Sequence, residues 1–144
     1  MSEGPDDSID EARRMTEFFG PLVPGQLGCV FDEASASLVV GHIDVTPNLI
    51  AGTGFLFAPA VVALADTCAA IGCGRAIEHD ASFTTIELKS NFLSTARVGE
   101  RVTCRAVPAH LGRQTHVWDC TVINEATGRT MALFRCTQMI LRRR

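Results

Sequence analysis

Residues 45–74 read VTPNLIAGTGFLFAPAVVALADTCAAIGCG and hold one charged side chain, Asp66. From 59 to 73 apolar and small residues fall on nearly every side of a 3.6-residue repeat, which an ordinary surface helix does not show. The spacing predicts a helix over 59–73 wrapped by other structure. Pro59 falls in its first turn, where a missing N–H costs nothing, and Gly72 and Gly74 are expected to mark its end. A carboxylate inside such a helix has to be hydrogen-bonded, open to a cleft or partly protonated, because burying an unpaired charge costs several kcal/mol. Asp66 is therefore the leading candidate for chemistry. Thr67 points about 100° away and is expected to bond back to the preceding turn.

Outward from this helix the pattern turns to strands. Segments 27–31 and 37–43 are rich in β-formers and flank a polar stretch, which predicts a hairpin, followed by an irregular connection over 44–57. Before them, 8–19 carries apolar positions at helical spacing, with Asp7 or Ser8 as cap and Gly20-Pro21 as stop. After the helix, a polar loop over 75–82 leads to four strands, 83–92, 101–111, 115–124 and 130–140, with turn residues between each pair. Alternation puts Thr84, Ile86, Leu88, Ser90 and Phe92 on one core-facing side of the first. Val102, Cys104 and Ala106, then Trp118, Cys120 and Val122, are the inward sets of the next two. An antiparallel sheet curved around one apolar helix, an α+β fold, satisfies both signals. The expected organisation is an N-terminal tail and short helix over 1–25 and one domain over 26–141. Val107, Val117, Met131 and Leu133 would lie on the outer sheet face, where an oligomer would cover them.

With 144 residues, 47% hydrophobic and 20% charged, a packed core is expected and disorder only near the start. A net charge of -3 argues against a nucleic-acid partner, and the arginines at 142–144 read as a solvated tail. The six cysteines form no CxxC pair and read as buried thiols; His42, His79, His110 and His116 are scattered, so no metal is expected. Residues 49–65 are uncharged but contain Gly52, Gly54 and Pro59, which argues against a membrane span. The N-terminus lacks a secretion pattern, so a cytoplasmic location is expected. No GxSxG elbow is present.

GTGFLFAPAVVALAD (52–66) resembles the central motif of hotdog-fold acyl-CoA thioesterases of the phenylacetate-pathway (PaaI-like) type. In that family a glycine, two residues and His-Gly-Gly lead into a helix carrying Leu-Ala-Asp. Here these fall on Gly54, Phe57, Ala58, Pro59, Leu64, Ala65 and Asp66, so phenylalanine, alanine and proline replace the His-Gly-Gly. TTIELKSNFLSTARVGERV (84–102) is similar to the family's long strand and tight turn, and GRQTHVWDCTVINEATGRTMALFRCT (112–137) to its closing hairpin. The likeness spans about residues 26 to 140.

The resemblance implies hydrolysis of an acyl- or aryl-CoA thioester with no cofactor beyond the CoA of the substrate. It implies homodimers joined sheet edge to sheet edge, with sites at the interface, and a possible pairing of dimers. Asp66 would act as general base or nucleophile, the amides of Phe57 and Ala58 as oxyanion donors, and Thr85 as a hydroxyl steadying the water. The family's upstream Asn or Gln falls nearest Ala51, which leaves Asn48, three residues early, to hold the substrate. Arg97, Arg113 and Arg129, at loop ends, are candidates for the CoA phosphates. Phe55, Leu56 and Phe57 could line an acyl tunnel. Two other roles compete: a non-catalytic acyl-CoA or small-ligand binder, and a structural hotdog dimer whose Asp66 is only hydrogen-bonded.

Overall fold

The computed structural model describes residues 4–144. Helix α1 (Pro5–Phe19) starts at Pro5 with Asp6 and Asp7 in its first turn, so the chain is ordered earlier than its polar start suggested. Residues 1–3 lie outside the described residues. A four-residue helix α2 (Val23–Gln26), absent from the sequence reading, leads to β1 (Val30–Ala34) and β2 (Val39–Asp44). A 3-10 turn (Pro47–Leu49) precedes α3 (Ala58–Ala76); then come β3 (Ser82–Phe92), β4 (Arg101–Leu111), β5 (Thr115–Asn124) and β6 (Arg129–Leu141). The strands form one antiparallel sheet in the order β1-β2-β4-β5-β6-β3, and α3 packs across it, a hotdog fold.

Helix α3 runs through Gly72 and Gly74 instead of ending there. The reason at Gly72 is contact: a Cβ there would lie 2.3 Å from Cη2 of Trp118, whose indole is fully buried against the helix. Leu64, Ala65, Cys68 and Ala69 are also buried on the helix, in one core with Val102, Cys104, Ala106, Trp118, Cys120 and Val122 from the sheet. All six cysteines are free and buried. Ala12 of α1 joins this core, with Met15 and Phe19 packed at its margin.

The even alternation expected of β3 does not hold. Thr85 pairs with Gln138 but Glu87 pairs with Thr137, so a bulge falls at Ile86. Before it, Phe83 and Thr85 share the inner face with Ile140 and Gln138; beyond it, Leu88, Ser90 and Phe92 share that face with Cys136, Phe134 and Ala132. Thr84 is thereby turned outward and Thr85 inward. β3 is also an edge strand, and Ile86, Leu88 and Phe92 are 51%, 43% and 44% exposed, not buried in this chain's core. Met131, expected outside, is buried, because it is itself a bulge residue whose carbonyl receives the amides of Leu93 and Ser94. Val107 and Leu133 do lie exposed on the outer face.

Candidate active site

Burial leaves one seam of α3 open: Val62, Ala63, Asp66 and Ala70 are half-buried and Gly74 exposed, facing the β3 side. Asp66 sits in this seam, where Thr85 Oγ1 donates to its Oδ1 at 3.0 Å. Loss of water around the carboxylate pushes its pKa above the ordinary range, and the Thr85 hydroxyl pulls the other way. The bulge at Ile86 is what lets Thr85 aim at the helix. Thr67, one position on, donates instead to the Ala63 carbonyl at 2.6 Å, the back-bond expected of a mid-helix threonine.

The start of α3 is tied into a tight turn. Ala51 and Gly54 amides close it through the Phe55 and Ala51 carbonyls, and Leu56 donates to Ala96. Phe57 is half-exposed, and its amide, one of the two assigned to an oxyanion, donates to the Leu49 carbonyl at 2.9 Å. Pro59 has no N–H, and Ala60 donates back to Phe57. Among the described residues no acceptor takes the Ala58 amide, which lies exposed at the positive end of the helix. Ala58 and Asp66 are eight residues apart, about 12 Å along the axis at 1.5 Å per residue. One carbonyl group cannot touch both within one chain.

Asn48 is exposed and its side chain takes the Thr46 hydroxyl, folded onto its own turn. Leu56 is core and Phe55 lies under Arg97, whose guanidinium sits 5.0 Å from the ring centre. Arg97 and Arg129 come together around a 280 Å³ pocket shared with Phe55, Ser94 and Thr127. Arg113 is elsewhere, its carbonyl receiving Arg142.

Two groups of polar residues were missed. Asn124, fully buried, donates to Glu100 at 2.8 Å and to the Thr95 carbonyl at 3.1 Å, bracing the Arg97 pocket; in sequence it reads as a turn residue. Gln138, directly opposite Thr85, and His116, directly opposite Gln138, continue a buried polar row away from Asp66. Their inward parity with Phe134, Cys136, Trp118 and Cys120 was the available signal. Among the described residues no group of three His, Cys, Asp or Glu side chains is placed to share a metal. Among the described residues no helix is long and apolar enough to cross a membrane.

The sequence profile of the Thioesterase superfamily matches residues 53–134, from the turn before α3 well into β6. The chain belongs to this superfamily. Among curated relatives of this thioesterase, the 1,4-dihydroxy-2-naphthoyl-CoA hydrolase of Listeria monocytogenes is 30% identical over 105 residues, 73% of this chain and 84% of that protein. A thioesterase of Staphylococcus aureus superposes with TM-score 0.77 at 29% identity, covering 81% of this chain and 96% of that one. The PaaI protein of Escherichia coli has the same fold at 22% identity and TM-score 0.77, covering 92% and 94%. The thioesterase thus shares the hotdog fold of PaaI, with Phe57, Ala58 and Pro59 at the positions that the resemblance gives to His-Gly-Gly.

Proposed function

We propose that this thioesterase hydrolyses acyl- or aryl-CoA esters to CoA and a carboxylic acid, with Asp66 as the catalytic acid–base group. The observation that carries this reading is the half-buried Asp66 carboxylate, held by Thr85 at an open seam of an otherwise apolar helix. Water adds to the thioester carbonyl carbon while its proton passes to Asp66; the C–S bond then breaks and the proton leaves with the CoA thiolate. Direct attack by Asp66, giving a mixed anhydride that water opens, uses the same geometry. The oxyanion is held by an Ala58 amide at a helix N-terminus. Since 12 Å separates Ala58 from Asp66 in one chain, each site takes its Asp66 from one copy and its Ala58 from a second. The exposed apolar edge of β3, beside Asp66, is the natural joint of such a homodimer. Arg97 and Arg129 at their pocket are suited to CoA phosphates.

Phe57 and Pro59 in place of His and Gly favour one competing role, a binder of acyl-CoA without turnover. Free-thiol release over a panel of CoA thioesters, paired with calorimetric CoA-ester binding, separates the two. Hydrolysis requires turnover that falls about 10²–10⁴-fold in Asp66→Asn. Binding without turnover in the wild type selects the binder.

A further inference from the structure

The seam that exposes Asp66 continues into a cavity made by α1. One turn beyond Asp66 on the same helix face lies Ala70, and another turn on lies Gly74; on β3, Phe83 sits two residues before Thr85 on the same inner face. Ala70, Gly74 and Phe83 form one wall of a 320 Å³ cavity whose other wall is Ile71 with Met15 and Phe19 of α1. This volume is at the lower end of small-molecule pockets, roughly 300–1,000 Å³. Small residues at 70 and 74 keep the space open: a Cβ added at Gly74 would already touch the Phe83 ring at 3.6 Å.

The charges at this cavity are paired with each other. Glu11, only 8% exposed, bonds Arg14 through Arg14 Nε at 2.9 Å and faces Arg75 at 3.7 Å, so it joins α1 to the last turns of α3. What remains for a ligand is an apolar wall of methyl, thioether and phenyl groups, with no hydrogen-bonding side chain committed to it.

We infer that the cavity between α1, α3 and Phe83 is the acyl subsite of the thioesterase, and that it selects an apolar acyl group: a medium-length alkyl chain or an unsubstituted aryl ring. This rests on Asp66 being the group that meets the thioester carbonyl. With the carbonyl at Asp66, the acyl group runs past Ala70 toward Gly74, and the CoA leaves in the opposite direction. α1 is then a specificity element of the enzyme, with Met15 and Phe19 setting the depth of the pocket.

The test is the ratio of kcat/KM for octanoyl-CoA to that for acetyl-CoA in wild type, Gly74→Leu and Met15→Ala. Gly74→Leu fills the cavity from a helical position where leucine is well tolerated, and it is expected to lower the ratio 10-fold or more; Met15→Ala deepens the cavity and moves the optimum to longer chains. Melting temperatures establish that both variants fold, and Gly74→Ala, a smaller filling, is expected to fall between wild type and leucine. Unchanged ratios in the folded variants, with turnover still lost in Asp66→Asn, overturn the subsite and leave the hydrolase reading intact. If the wild type turns over no thioester, affinity for the non-hydrolysable S-octyl-CoA thioether decides. Binding weakened about 10-fold or more by Gly74→Leu supports the subsite. Equal affinity, or none in the wild type, overturns it.

Discussion

The Asp66 side chain is held between two opposed effects. Burial raises its pKa and the Thr85 hydroxyl lowers it, with burial the larger. For a carboxyl whose folded pKa exceeds its unfolded value, the stabilising contribution is complete below the unfolded pKa and is lost as pH rises through the folded one. At neutral pH the ionised Asp66 is therefore a net cost to the fold. Asp66→Asn is expected to melt higher than wild type near pH 7, with the gap closing below the ordinary Asp value of 3.8; thermal scans at several pH values check this. On the proposed mechanism the same shift is expected to move the acid limb of kcat/KM upward, with activity falling as Asp66 takes up a proton. Thr85→Val removes the effect that lowers the pKa. Its acid limb is expected to move to higher pH, with neutral kcat/KM down about 10-fold, the usual loss for a hydrogen bond to a charged group. Asp66 was legible in the sequence because one charge in thirty residues stands out. Gln138 was not, since one glutamine at an inward position resembles a strand end until the burial of its neighbours is known.

At the level of elements, β4 and β5 lie where turn chemistry and alternation put them, and their inward residues are those that the two-residue period selects. The readings that failed did so where a contact between elements overrides a local rule. Gly72 looks like a helix stop, yet it is a contact site for Trp118, a residue 46 positions away that no local signal reveals. Gly72→Ala is expected to destabilise the enzyme by about 1–3 kcal/mol despite alanine's better helix propensity, because its methyl meets the wall of a rigid, buried ring. Denaturant unfolding of this variant beside Gly74→Ala, which meets Phe83 at an ordinary contact distance, gives a matched pair in which only Gly72→Ala should lose stability. In β3, alternation is broken by the bulge at Ile86, and a bulge leaves no mark in a β-branched run. That bulge sets the Thr85–Asp66 contact, because an unbroken strand could not have both Thr85 and Leu88 on the helix side.

For the molecule as a whole, the sheet ends in an eleven-residue edge strand with exposed Ile86, Leu88 and Phe92, and the carboxylate and the free helix amide are too far apart to serve one substrate in one chain. The resemblance already implied sites at a dimer interface, but the sequence did not reveal that Ala58 and Asp66 of one chain stand too far apart, since eight residues along a helix become a distance only when the helix is known to be unbroken. In the proposed homodimer, a second copy joined at β3 accounts for both features. Mixing Asp66→Asn with Ala58→Pro, which removes the Ala58 N–H at a helix position that accepts proline, tests it directly. In a heterodimer one site has both substitutions and the other has neither. Each variant alone is predicted to be nearly inactive, while the co-expressed mixture recovers about a quarter of wild-type thioester hydrolysis, because about half the dimers are mixed and each has one intact site. A mixture no more active than its two parents, or full activity in Ala58→Pro alone, would contradict the account.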